Sequence, residues 1–267
     1  MDLITLCDKI CLQKEVQKEV INYYQSTGFN QIYPSIQGLK SMETEAGVRE
    51  ELTKLLYPDP QKIKMLTYML VCAVELYPWY QEKGISETIF LDTMRCFTRF
   101  IEECKQMTGQ YAFDREWWTA RQISGILFRI GELEYEMTHS AFNPVISIHI
   151  PSDSILTQDR CDTSLENAKA FFAEYFPEYA DKDYICDSWL LAPELKKLLP
   201  PDSNIIAFQH RFYIQKVDYD GNEYIEWVFK KRNCSIADLP ENTTLQRNMK
   251  QYLVNGGKIG SGYGVCI

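Results

Sequence analysis

A chain of 267 residues with 45% hydrophobic and 13% aromatic content can bury one large core or two ordinary ones, and is too apolar to be disordered. Its formal charge of -9 works against a nucleic-acid partner, because an acidic surface repels a phosphate backbone. The nine cysteines are an odd, scattered set without a C-x-x-C pair, and only three histidines accompany them. That argues against a disulfide framework and against a zinc site, so they read as reduced thiols, most of them buried as small hydrophobes.

Met1-Asp2-Leu3-Ile4-Thr5 lacks the basic start and apolar run of a signal peptide. The most apolar stretch, 65–76, is interrupted by Thr67 and Glu75 and is shorter than the roughly 20 residues that span a bilayer. The expectation is a soluble, cytoplasmic protein with no membrane partner. In residues 3–24, Leu6, Ile10, Val16, Val20, Tyr23 and Tyr24 recur at helical spacing, and Gly28 follows as a stop. A weaker helix covers 44–57. Asp59-Pro60 starts the next, which runs through Ile63, Leu66, Leu70 and Val74, is interrupted at Pro78 and ends at Gly84. Ser86 caps a further helix carrying Phe90, Met94, Phe97 and Ile101, closed by Gly109.

From Ile123 the period changes to two, with Phe128, Ile130, Glu132, Glu134 and Glu136 on one strand face. Asn143-Pro144 reads as a turn and 145–150 as a strand. Thr163-x-x-Glu166 is a capping box for a helix with Leu165, Ala168, Phe171 and Phe172 in its apolar stripe. A strand at 184–191, a short helix at 193–199 and a long strand at 205–217 come next. Asp220-Gly221-Asn222 is a hairpin turn into 224–230. A helix covers about 245–254, with Asn255-Gly256-Gly257 as its cap, and 258–267 is a candidate edge strand. The fold class is therefore α+β, an all-helical domain (1–115) packed on a mixed α/β domain (116–267); no Pro/Gly/Ser-rich linker separates them.

Several phrases resemble a bacterial family of acyltransferase-domain proteins, which join a helical N-acyltransferase N-terminal domain to a GNAT-like C-terminal domain. They are Phe113-Asp114-Arg115-Glu116-Trp117-Trp118, Phe128-Arg129-Ile130-Gly131-Glu132-Leu133-Glu134, His149-Ile150-Pro151-Ser152-Asp153-Ser154, Ser188-Trp189-Leu190-Leu191-Ala192-Pro193-Glu194-Leu195, Leu199-Pro200-Pro201-Asp202-Ser203-Asn204-Ile205-Ile206 and Gly256-Gly257-Lys258. The resemblance implies an acyl-CoA or acetyl-CoA co-substrate lying where two parallel strands, 145–150 and 184–191, splay apart; with the cysteines scattered and histidines few, no metal is expected. Its pyrophosphate would sit on the loop 151–157 and the helix start that follows. Ile150, Ser152, Ser154 and Thr157 are then the candidate cofactor contacts, with Ser188 and Trp189 lining the acyl pocket; a core tryptophan is the other reading of Trp189. The loop departs from the superfamily pattern Q/R-x-x-G-x-G/A: it has no glycine, and Asp153 and Asp159 lie nearby.

Two residues are candidates for the general base. Glu134 lies on the acidic strand face, which is otherwise a solvated face. His149 ends the cofactor strand, where imidazole titrates in the right range, the alternative being a surface or hydrogen-bonded histidine. His210 alternates with apolar neighbours and is expected in the core. The stretch 256–264 (GGKIGSGYG) follows a helix and lacks the strand-loop-helix context of a phosphate loop, so it reads as a cap plus a terminal strand. The expected function is acyl-CoA-dependent N-acyl transfer to a small-molecule amine; the alternative is a non-catalytic GNAT-like module that binds a small ligand or a partner protein.

Overall fold

The computed structural model describes residues 1–141 and 143–267. The chain divides into two compact units, Met1–Ile130 and Gly131–Ile267.

The first unit is helical: α1 (Leu3–Lys9), α2 (Lys14–Tyr24), α3 (Thr27–Ile32), α4 (Glu45–Leu55), α5 (Ile63–Lys83), α6 (Glu87–Met94), α7 (Cys96–Thr108) and α8 (Glu116–Ile123), then a short strand, β1 (Leu127–Ile130). The single helix expected over 3–24 is two. Asp2 caps α1 by accepting the Thr5 N–H at 2.7 Å, and Cys11 then takes a left-handed conformation (φ 58°) that breaks the helix. Asp59 does serve the start of α5, but from outside it. Its carboxylate accepts the N–H groups of Lys64 and Met65 at 3.2 and 3.1 Å. Pro78 stays inside α5 rather than interrupting it. Helix α5 is buried on all sides through Met65–Ala73 and forms the centre of this unit, with Phe90, Met94, Phe97 and Ile101 also buried. Ser86 caps α6 as expected, accepting the Ile89 N–H.

The second unit contains β2 (Leu133–Ser140), β3 (Asn143–His149), α9 (Gln158–Tyr175), β4 (Tyr184–Ser188), α10 (Leu195–Leu198), α11 (Asn204–Gln209), β5 (Phe212–Asp218), α12 (Tyr224–Phe229), α13 (Thr244–Val254) and β6 (Ser261–Cys266). Its strands lie in the order β2-β3-β4-β6-β5. Strand β2 is antiparallel to β3, β3 parallel to β4, and β6 antiparallel to both β4 and β5. The parallel pair is joined by α9, the crossover that parallel strands require.

Several expectations change here. The chain turns at Gly131, whose φ of +69° strains any residue with a side chain, so Glu132 leaves the strand on which it was expected. Asn143 and Pro144 begin β3 instead of forming a turn, and Ser140 pairs with Asn143. Thr163 lies well inside α9, so the capping box marks no helix start. The strand expected over 205–217 is a helix followed by a strand, because Ser203 accepts the Ile206 N–H and starts α11. His210 is exposed, not in the core. The hairpin partner expected at 224–230 is helix α12. Phe229 is buried there against Met249 and Leu253, and tertiary packing overrides the β-preference of Tyr-Ile-Glu-Trp-Val-Phe. Strand β6 lies inside the sheet and not at its edge. All nine cysteines are free, and six are buried.

Candidate functional site

Strands β3 and β4 part company after a short stretch. Ile146 pairs with Tyr184 and Ser147 with Ile185, and the parallel register continues no further. Yet β3 runs on to His149, and β4 to Ser188, where it still pairs with β6. The unpaired ends leave a gap with His149 and Ile150 on one side and Cys186 to Ser188 on the other.

The antiparallel register places Glu134 opposite His149 and Glu136 opposite Ser147, so all four side chains project from one face. That face is not solvated. Glu134 is 2% exposed and Glu136 9%. His149 reaches diagonally across the pair, and its Nε2 lies 2.8 Å from Glu136 Oε2. The structure thus brings together both base candidates, His149 and Glu134, and adds Glu136.

The loop after β3 is held by Glu132. Its Oε2 accepts the Ile155 N–H at 2.8 Å and its Oε1 pairs with Arg160 at 2.6 Å. Its backbone oxygen accepts the Ser154 hydroxyl at 2.5 Å. A carboxylate therefore already uses one of the loop's amide groups. The start of α9 is different: Thr157 is its N-cap but makes no side-chain cap, which leaves the first-turn N–H groups facing outward from the helix end. Arg160 lies in that first turn, and Arg211 donates to the Gln158 carbonyl at 3.1 Å and to Asp162 at 2.6 Å. A cavity of about 250 Å³ lies beside these groups, lined by Gly131, Glu132, Asp159, Arg160, Thr163 and Ser164. Of the expected contacts, Ser152 is exposed, Ile150 and Thr157 are half-buried, and Ser154 is committed to Glu132.

Across the gap, the Ser188 hydroxyl accepts the Leu190 N–H at 3.1 Å and caps a 3-10 turn, Trp189–Leu191. Trp189 packs against a buried cluster that includes Ala192, Leu195 and Leu198. Gln209, buried on α11, donates to the Leu190 and Ala192 carbonyls at 2.8 and 2.9 Å and ties the turn down. The turn lies flat on β6 because Gly262 has no side chain: a Cβ there would meet the Leu191 carbonyl oxygen at 2.7 Å. The glycines at 260–264 thus serve backbone packing. Cys186 is no candidate nucleophile, since burial pushes its thiol up and away from the thiolate. Among the described residues, no group of three or more His, Cys, Asp or Glu is arranged to hold a metal ion, and no helix is long and apolar enough to cross a membrane.

Sequence reasoning missed Glu136 as the partner of His149, Glu132 as the clamp on the loop, and Gln209. The first depended on the register: with Ser140 opposite Asn143, every later pair between β2 and β3 follows.

No curated protein matches the chain. Solved acyltransferase structures do resemble it. One, in complex with decanoyl-CoA and teicoplanin, is 19% identical, with a TM-score of 0.82 over 98% of this chain and 86% of that one. Another, in complex with decanoyl-CoA, is 20% identical, with a TM-score of 0.81 and the same coverage. At this identity the likeness is one of fold. Residues 1–125 match the N-acyltransferase N-terminal domain and residues 127–266 the GNAT-like C-terminal domain, and the chain belongs to the family that joins these two domains.

Proposed function

We propose that this protein transfers an acyl group from acyl-CoA to the amine of a small-molecule acceptor, in the gap between β3 and β4. The observation that carries the reading is the parting of these two parallel strands just where β3 delivers His149. The solved neighbours support it: they hold decanoyl-CoA or octanoyl-CoA, and one holds teicoplanin as well. In this reading acyl-CoA supplies an activated acyl thioester. Arg160 and the first-turn N–H groups of α9 hold its pyrophosphate, as a helix start holds anions. The gap and the Trp189–Leu191 turn orient the acyl end, and His149 removes a proton from the acceptor nitrogen.

One observation favours the second reading, a non-catalytic module that binds a small ligand or a partner protein. Glu132 sits on the Ile155 amide and on Arg160, groups that a phosphate would use. Thermal-shift titration with acetyl-, octanoyl- and decanoyl-CoA separates the two. Binding at 100 times Kd stabilises by about 2.7 kcal/mol, which is readily measured; no shift at millimolar ligand would remove acyl transfer and leave the module. Glu132 also makes a prediction of sign. Like charges repel by about 1 kcal/mol at 4 Å in water and by more when partly buried. Glu132→Gln is therefore expected to tighten acyl-CoA binding about fivefold or more, measured by calorimetry. Weaker binding would show that the carboxylate supports the site instead of competing for it.

A further inference from the structure

We infer that Glu136 fixes the tautomer of His149, so that the base atom is Nδ1; this rests on the acyl-transfer reading above. A carboxylate only accepts hydrogen bonds, and a neutral imidazole carries one proton and one lone pair. Glu136 Oε2 lies 2.8 Å from Nε2. Nε2 must then carry the hydrogen, and the lone pair falls on Nδ1. The opposite tautomer would set two acceptors against each other at hydrogen-bonding distance in a buried place, where the repulsion is strong.

The backbone makes this contact durable. Glu136 lies within β2 and His149 at the end of β3, and the antiparallel register from Ser140–Asn143 to Glu134–His149 holds their spacing. Glu136 is 9% exposed, so little water competes for its oxygens. Glu134, the residue opposite His149 in the register, is buried on the same face.

The ring carries one proton from the acceptor to the leaving sulfur. Nδ1 takes the proton from the acceptor nitrogen, whose electron pair makes the new C–N bond. As the C–S bond breaks, its pair stays on sulfur, and the ring returns the same proton there. His149 ends neutral, with Nε2–H still on Glu136. Glu136 touches no reacting atom and is a positioning residue.

Long-range ¹H–¹⁵N NMR of histidine-labelled protein tests this directly. The chain has only three histidines, and His149→Gln assigns the signal. The expected result, at a pH where the ring is neutral, is a protonated Nε2 and an unprotonated Nδ1. Glu136→Gln, whose amide can donate or accept, should mix the tautomers and lower kcat about 10²-fold with KM within about twofold. Glu136→Asp keeps the charge but withdraws it, and should fall as far. A protonated Nδ1 in the native chain overturns the proposal; so does wild-type kcat in Glu136→Gln, or a lowered kcat with the tautomer unmoved. The native-chain spectrum decides the tautomer even if the variants fail to fold. Full turnover in His149→Ala would instead remove the base role in the function proposed above, leaving the tautomer to be read separately.

Discussion

His149→Ala is expected to lower turnover by about 10²-fold or more, the usual contribution of a positioned general base. The ring ends β3 where the strand leaves its parallel partner, and it is half-buried, so its loss should cost far less in stability than in rate. His149→Gln separates the two effects. Its amide can still donate to a carboxylate at the position of Glu136, but it has no basic nitrogen to take a proton. Both variants should keep the thermal midpoint near that of the native chain while losing turnover together. Glu134→Gln is expected to fall as well, because Glu134 is the buried residue opposite His149. A change of twofold or less at either position would take that residue out of the catalytic site. Steady-state kinetics with one acyl-CoA and a series of amines provides the measurement.

Gly262→Ala is expected to cost the second unit stability. The new Cβ would lie 2.7 Å from the Leu191 oxygen, 2.8 Å from the Leu191 Cβ and 3.0 Å from its carbonyl carbon. Backbone cannot swing aside as the tip of a long side chain can, so β6 or the Trp189–Leu191 turn must move. Overpacking of this kind costs about 1–3 kcal/mol, and roughly 2–4 °C of Tm accompanies each kcal/mol in a protein of this size. Turnover should fall too, because the displaced turn is capped by Ser188, where β4 ends at the proposed site. Gly47 provides the contrast. It lies in α4, and a Cβ there meets nothing within 4 Å. Gly47→Ala should raise stability by about 0.5–1 kcal/mol through better helix propensity. Equal behaviour of the two variants in a thermal melt would mean that the close approach at Gly262 is unimportant.

Much of the fold was legible because periodicity and caps are local signals. Ser86, Gly84 and Gly109 mark helix boundaries where they were expected, and a strand lies on either side of α9 as expected, although the first begins two residues earlier, at Asn143, and the second ends at Ser188, with 189–191 a 3-10 turn instead of strand. The failures share a cause. Tyr-Ile-Glu-Trp-Val-Phe has β-forming residues but folds as α12, because burial of Phe229 decides it. Thr163-x-x-Glu166 has the spacing of a cap without being at an end. At the site the decisive error was one of register. A two-residue turn at Asn143-Pro144 would have put Thr138 opposite His149; the observed pairing puts Glu134 there, with Glu136 one diagonal away. Shifting the turn by two residues moves every partner by four, so the acid beside the histidine could not be named until the turn was placed. Glu132 was hidden for a different reason, since its contact with Ile155 joins two loops that no periodic pattern relates.

The position of β6 between β4 and β5 also sets how the second unit can assemble. Ile185 pairs with Val265, so the two halves of this ladder are 80 positions apart along the chain. Until that distant segment arrives, β4 has only its short parallel pairing with β3, and its other edge is a row of unsatisfied amides and carbonyls beside apolar side chains. Loop closure over such a separation must be paid before any of the ladder forms, which makes the step slow relative to helix formation. The same glycine strand that lets the mature sheet close tightly therefore leaves its nascent form open longest, and it is in that interval that the chain is most exposed to pairing with a neighbour.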